Sequence, residues 1–470
     1  MTDPQPPASS STGSPPPLPP RAGYPLVGAL PSLAGDPLGY LLSARARYGD
    51  IYTLDLGLTR AIMLNHPRHA QHVLRDNARG YGKGGPIWDS IRCIVGNGLP
   101  TSEGEFWLRQ RRMLQPHFHK DRLASLMHLM VGAIDESLAR WDAAAESGEP
   151  VEAYHEFARM TMNVVVKSLF GAGITPEEAD AVGHEMNYAV EHILASLFTN
   201  ALPKWMPVPG RKRFEKALRT IDEVVYKLIN RRRESKQSGG DLLGIMLDTV
   251  DDETGKGMED IHMRDEAVSL LIAGYETTST ALAFICGCLL ERPDIVRNLQ
   301  DDFDKVIGQE TPNLAHLPRL PLAQMVVQES LRMYPPTYWV LRTALEDDVI
   351  DGYRIPKGTI IGVTTYAIQR HPEFWQEPEK FDPWRFTPER SAGRHPLAWI
   401  PFGIGQRLCI GRDFALMEGQ LFLARWLSRF DIEPVPGRPV KAGLAATIRP
   451  QGGVWIRLRK RTPRAVAAVG

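Results

Sequence analysis

Phe402-Gly403-Ile404-Gly405-Gln406-Arg407-Leu408-Cys409-Ile410-Gly411, followed at once by Arg412-Asp413-Phe414-Ala415-Leu416-Met417-Glu418, is the stretch that decides how this chain is read. Glycines at 403, 405 and 411 permit positive φ and a close approach of the backbone to something flat or bulky. One cysteine sits among them, at the entrance to an apolar helix. Helix N-termini carry partial positive charge and unpaired N–H groups, which bias a cysteine there towards thiolate. A thiolate held in this way suits a soft metal. The competing account of Cys409 is a small buried residue, the common state of a free cysteine. The spacing of glycines and arginine favours the ligand.

The surroundings bound the class of protein. The 470 residues are 43% hydrophobic and 23% charged, an ordinary globular composition with ample core. Lys+Arg and Asp+Glu are both 55, so no global field points to nucleic acid. Cys93, Cys286, Cys288 and Cys409 form no disulfide framework in a chain of this length, and Cys286 and Cys288 diverge on a helix. A reducing cytoplasm is the expected setting. The N-terminus lacks the basic and apolar regions of a secretory signal. The longest apolar stretch, 281–290, is too short to span a bilayer, so no transmembrane anchor is expected.

Residues 1–21 are low-complexity and rich in Pro and Ser, a composition that cannot bury a core, and order is expected from about Tyr24-Pro25. Residues 51–56 and 61–64 read as short strands, and Pro67 suits the first turn of a helix reaching about Arg75. Six glycines and two prolines in 80–100 predict a mobile loop. Ser102-x-x-Glu105 has the pattern of a capping box, opening a helix with Trp107 and Arg111 four apart on one face. The pattern stays helical to about 235, with breaks at Pro116, Pro203, Pro207 and Pro209. A polar, Gly-rich surface connection over 235–257 precedes a long helix over about 259–290 and another over about 322–334. Strands follow near 338–345, 348–354 and 359–364, then a Pro-punctuated meander, and Thr447-Ile448 with Val454-Trp455-Ile456 reads as a closing hairpin. The fold class is mostly α with small β-sheets in a single domain.

Inside the long helix, Leu270, Ala273, Gly274, Thr277 and Ala281 recur at helical spacing and form a small, apolar face bearing a hydroxyl. Gly274 costs about 1 kcal/mol of helix stability relative to Ala, which implies close approach of a large body or a local distortion. A back-bond from a Ser or Thr hydroxyl to an i−4 carbonyl can bend such a helix. On the residues alone, a packing helix with Glu276 solvated on its far side remains an equal account.

The loop, read as Phe-x-x-Gly-x-Arg-x-Cys-x-Gly, resembles the haem-binding loop of the cytochrome P450 family at every position. The resemblance implies a cytochrome P450 fold over 22–460, a single haem-containing domain flanked by a disordered tail over 1–21 and a flexible tail over 461–470. It implies haem b with Cys409 as the metal ligand, and Phe402 and Gly411 beside it. Ala273-Gly274-Tyr275-Glu276-Thr277-Thr278 resembles the family's oxygen-activating motif. Carried over, Ala273 and Gly274 lie against the haem, and Glu276 and Thr277 form an acid–alcohol pair that relays protons to O2. Glu329 and Arg332 match Glu-x-x-Arg, with Arg385 as a third, structural partner. Trp107, Arg111, Arg342 and Arg407 match propionate-binding positions. Substrate-facing positions by resemblance are Ile87, Trp88, Leu270, Ala273, Thr337, Tyr338 and Ala446.

The implied activity is insertion of one oxygen atom of O2 into a hydrophobic small molecule by a soluble, bacterial-type monomer. Terpenoid, fatty acyl and polyketide or peptide substrates all stay open. Nothing follows residue 470, so electrons are expected from NAD(P)H through a separate ferredoxin or flavodoxin system. Arg109, Arg112, Lys120, Arg122 and Arg412 are expected to present a basic face to an acidic partner. A peroxide-dependent or redox-neutral haem-thiolate enzyme, and a non-catalytic haem sensor, are the alternatives.

Overall fold

The structure, a computed structural model, describes residues 16–24, 27–57, 59–171, 174–199, 208–235, 241–251 and 253–462, without the side chains of 120, 121, 176 and 193–199. The expected tails over 1–15 and 463–470, and the breaks at Pro203 and Pro207, lie outside the described residues. Helices dominate. The long helix Asp260–Leu290 runs through the middle, and its residues are buried nearly all round. A helix apolar on every face belongs in a core. It is the one helix among the described residues long and apolar enough to cross a bilayer, and it is mostly buried, with Arg264, Asp265 and Glu266 buried along it. Helices Ala153–Phe170, Lys120–Ala139 and Arg412–Arg429 pack around it in one continuous hydrophobic cluster.

A six-stranded mixed sheet lies to one side, in the order Arg21–Ala22, Ile51–Asp55, Arg60–Leu64, Ile360–Val363, Val340–Ala344, Tyr81–Gly82. Ile51 pairs with Leu64, and Leu64 with Val363, which buries an aliphatic set including Ile62, Val73 and Ile361 beneath the meander.

Six expectations are corrected. Order starts earlier than Tyr24, because Arg21 and Ala22 pair with Thr53 and Leu54, and the Pro20 and Pro17 carbonyls accept N–H bonds from Thr53 and Arg354. Proline lacks a donor but keeps its acceptor, which is enough for an edge. At the other end Arg461 is held, its N–H on Arg429 and its guanidinium on Asp304 at 2.8 Å. The 80–100 stretch contains the helix Pro86–Val95, since its glycines 85 and 96 fall at the two ends, with Pro86 in the first turn. The capping box is not formed: the helix begins at Gly104 with no side-chain cap, and Ser102 Oγ has no partner. Leu242–Asp248 is a helix capped by Asp241, with Leu242, Leu243 and Met246 buried, within the expected connection. The closing hairpin is in fact two pairings, because Ile448–Gln451 pairs with Lys441–Leu444 while Trp455–Lys460 pairs with Phe430–Pro434.

The Glu329–Arg332 pair sits on one face of the helix Pro321–Met333, with no side-chain exposure on either residue. Arg332 Nε and Nη2 donate to the Glu329 oxygens at 2.7 and 3.0 Å. Arg385 Nε stands 3.3 Å from Glu329 Oε1, while its other nitrogens donate to the carbonyls of Gln376 and Glu377. The three side chains therefore link the meander to this helix. Glu329→Ala would leave two buried guanidiniums uncompensated, at a cost of about 3–5 kcal/mol. The urea midpoint of the variant should fall steeply, and an unchanged midpoint would show that the triad carries no such weight.

Candidate active site

The cysteine loop is closed by its own backbone. Gly403 N–H donates to Ile400 O, Leu408 N–H to Gly405 O and Cys409 N–H to Phe402 O, all between 2.9 and 3.1 Å. Gly403 and Gly405 both have φ of 70°, and a Cβ at Gly405 would run into the carbonyl of Leu74. Gly411 departs from the expectation with φ of −84°. Its contribution is an N–H aimed at the Cys409 sulfur. Burial pushes the Cys409 thiol up, against the Gly411 N–H and the charges of Arg111 and Arg412. Cys409 is itself exposed where it lines the cavity, so the surrounding protein does not seal the sulfur from a ligand.

Cys409 lines a cavity of about 280 Å³ that separates the loop from the long helix. Ala273, Gly274 and Thr277 face it from the helix, and Phe402, Arg407 and Gly411 from the loop. Thr277 Oγ1 donates to the Ala273 carbonyl four residues back, at 2.5 Å. Gly274 is explained by a neighbouring helix, because a Cβ there would collide with Val165.

Cations gather at one edge. Arg342 and Arg407 both face the cavity, and burial pushes each guanidinium down to about 10, Arg342 adding to the effect on Arg407. Lys83 is buried beside them and is held well below its ordinary value by burial, then by Arg407 and Arg342. Glu103 is the carboxylate that opposes all three. Arg407 donates to the Ser102 carbonyl at 2.9 Å and lies 3.7 Å above the Trp107 ring, and Lys83 Nζ donates to the Pro100 carbonyl at 2.6 Å. Three desolvated cations against one carboxylate are a site for further negative charge. A flat tetrapyrrole with two carboxylates on one edge and a metal over Cys409 fits this donor set. Trp107, Arg111 and Lys83 do not reach the cavity wall: Trp107 supports Arg407 from behind, Arg111 Nε donates to Gln115 Oε1 at 2.9 Å, and Lys83 adds its charge from behind Arg342 and Arg407. Sequence reasoning missed Lys83, since a lone lysine in a glycine-rich stretch carries no periodic signal.

Glu276 and Thr277 are not brought together. Successive helix positions diverge by roughly 100°, so with Thr277 in the cavity Glu276 turns aside. Its Oε1 accepts from Thr447 Oγ1 and Arg449 Nε, both at 2.8 Å, in a separate groove that Tyr275 and Glu191 also line. Glu276 is buried and ion-paired, not solvated.

Of the expected substrate positions, Leu270, Ala273 and Thr337 line the cavity. Ile87, Trp88, Tyr338 and Ala446 do not. Trp88 is half-buried beside Lys83, and Tyr338 is buried against Trp339 with ring centroids 4.8 Å apart. Leu74, Phe118, Val165, Leu169 and Leu242 line it unforeseen, being apolar residues that sequence cannot separate from core.

One other group has metal-ligand chemistry among the described residues: Asp50, His66 and His371, with ligand atoms within 4.8 Å of one another. His66 Nδ1 and His371 Nδ1 each accept a backbone N–H at 3.2 Å, from Arg68 and Glu373. Their Nε2 atoms therefore carry the hydrogens, donating to Glu373 and Asp50 at 3.4 and 3.2 Å, and have no lone pair for a metal.

The family profile described as Cytochrome P450 matches residues 16–452. Cyclooctatin synthase of Streptomyces melanosporofaciens is 33% identical over 89% of this chain and 90% of its own length. Pentalenene oxygenase of Streptomyces avermitilis is 31% identical over 93% of this chain and 96% of its own. The crystal structure of the cytochrome P450DA haem domain superposes with a TM-score of 0.86 at 30% identity, over 96% of this chain and 98% of that one. The sequence, the cavity between Cys409 and Thr277 and these relatives agree: the chain belongs to the cytochrome P450 family and is a monooxygenase.

Proposed function

We propose that this monooxygenase oxidises a terpenoid, with electrons delivered by a separate ferredoxin. The observation that carries the substrate class is the cavity wall. Leu270, Ala273, Val165, Leu169 and Leu242 make it apolar, hydroxyls are few, and the cations stand at one edge. A greasy skeleton with little polar function suits such a wall. The relatives named for cyclooctatin and pentalenene support the same class.

Haem, the family's cofactor, supplies the oxygen chemistry when bound. Cys409 would supply its sulfur ligand, and Arg342 and Arg407, backed by the charge of Lys83, would hold its carboxylates. Thr277 holds a hydroxyl over the cysteine side of the cavity. To present its proton there it must turn away from Ala273, to which it donates. Glu276, clamped by Thr447 and Arg449, keeps a carboxylate one residue away on the solvent-facing groove. Leu270 and Ala273 exclude water and orient the substrate.

The expected docking charges need revision. Arg112 donates to Asp251 at 2.5 Å and to Glu253 at 2.7 Å, and Arg412 pairs with Asp413 at 2.9 Å, so neither is a free charge. The Lys120 side chain lies outside the described residues. Arg122 is exposed and half-buried Arg109 lies over the Phe106 ring, which leaves these two to steer an acidic partner.

Reduced protein with carbon monoxide should show the red-shifted Soret band of thiolate ligation, and Cys409→His should abolish it; a Cys409→Ala variant that kept the band would overturn the ligand assignment. Thr277→Ala should fold and hold haem but yield several-fold less product per NADPH, the balance appearing as hydrogen peroxide. Unchanged coupling would remove Thr277 from proton handling. Incubation with a panel of terpene hydrocarbons and their alcohols, followed by product identification, tests the substrate class. Arg109→Glu and Arg122→Glu should slow the first electron transfer most at low salt, where screening is weakest. Rates flat across salt in both variants would place the partner elsewhere.

A further inference from the structure

The segment Gly96-Asn97-Gly98-Leu99 is laid directly on the first turns of the long helix. Asn97 N–H donates to Asp265 Oδ2 at 2.7 Å, and Leu99 N–H to Glu266 Oε2 at 3.0 Å. The fit leaves no space for side chains: a Cβ at Gly96 would enter the Asp265 carboxylate, and one at Gly98 would meet Ser269 Oγ. Glu266 Oε1 and Ser269 Oγ are buried without a partner among the described residues. Immediately downstream, the carbonyls of Pro100 and Ser102 accept from Lys83 Nζ and Arg407 Nη1. Two adjacent carboxylates of the long helix therefore fix the segment whose next carbonyls aim two of the three edge cations.

We propose that Glu266, with Asp265, is a positioning residue for the haem edge: by holding the 96–99 backbone it sets Arg407 in place to grip the haem carboxylates, with the charge of Lys83 fixed behind it. The proposal rests on reading those cations as the carboxylate grip. Glu266 serves best as a neutral acid, accepting the Leu99 N–H without adding a second buried charge beside Asp265. Asp265 has its own counter-charge, since Arg264 Nη1 donates to it at 2.9 Å. Arg264 is shared with Asp222 on the helix Arg211–Ser235, which also carries Tyr226 near Asp265.

Burial, and then Asp265, push the Glu266 carboxyl up to about 8 against an ordinary 4.5, with the Leu99 N–H pulling the other way. The folded value lies above the unfolded one. The stabilisation that goes with the bound proton is therefore complete below pH 4.5 and lost as pH rises towards 8. The hold on the loop should loosen across that window.

The test uses the haem-loaded protein and two readouts that do not depend on turnover: exchange of the Asn97 and Leu99 amide hydrogens, and transfer of haem to excess apomyoglobin. In the parent protein both, with amide exchange taken relative to its intrinsic base-catalysed rate, should quicken as pH rises from about 4.5 to about 8. Glu266→Gln, which keeps an acceptor and cannot ionise, should hold both slow and flatten the pH profile. Glu266→Ala should speed both by about tenfold at pH 7, the effect of one lost buried hydrogen bond. Amide exchange and haem loss with the same pH profile in the parent and Glu266→Gln would overturn the proposal. So would Glu266→Ala exposing the amides while haem loss stays slow, provided Arg407→Gln speeds haem loss. If Arg407→Gln and Arg342→Gln both leave haem loss unchanged, it is the carboxylate grip itself that fails.

Discussion

A single carboxylate with no exposed side-chain surface, Glu329, ties together the parts that hold the cysteine. Two guanidiniums share it, and the Asp382 N–H adds a further donor at 3.0 Å. Such a charge is tolerable only with every partner present. The partners come from different segments, so satisfying Glu329 fixes where the meander runs. Gln369 extends the lock. Its amide nitrogen caps the carbonyls of Leu331 and Arg332, while its oxygen receives the N–H of Ile400, which stands where the cysteine loop begins. From Glu329 to the loop the connections are hydrogen bonds with little freedom, and the position of Cys409 follows from them.

The opposite wall is set by one helix with several jobs. On its early turns Asp265 and Glu266 hold a loop. Further on, Ala273 and Thr277 face the cavity, Gly274 admits Val165 of the adjacent helix, and Glu276 reaches a groove on another side. A helix with no polar stripe can serve each face differently because it is buried all round. Its rigidity comes from packing and not from propensity. A displacement at one face is consequently felt at the others.

How much of this was legible depended on whether a side chain's role is local. The cysteine loop could be read because glycine, arginine and cysteine at fixed spacing describe one backbone trajectory. The Glu329–Arg332 pair could be read because i and i+3 share a face. Gly274 signalled close approach correctly, but sequence could not say that Val165 is what approaches. The pairing of Arg112 with Asp251, and of Glu276 with Arg449, spans well over a hundred residues and has no local mark. Glycine density misled at 80–100, where the residues between the glycines form a helix and the glycines only end it. Lys83 escaped for the same reason, since its significance lies in the burial and charges it meets from Arg342 and Arg407.

The edge cations explain why cofactor and fold are coupled. Lys83, Arg342 and Arg407 repel one another in a desolvated setting, with Glu103 alone among the named carboxylates drawing them. Backbone carbonyls of 100 and 102 satisfy donors but leave the net charge in place. Two added carboxylates would remove that excess, and the same event would relieve the segment that carries the carbonyls. Binding that acts only on the folded state stabilises it by mass action. Here the stabilisation is directed, because the groups relieved of repulsion are the ones anchored through 96–102 to the long helix. The loop that carries the carbonyls, the cations they aim and the wall opposite Cys409 therefore settle together when the haem carboxylates arrive.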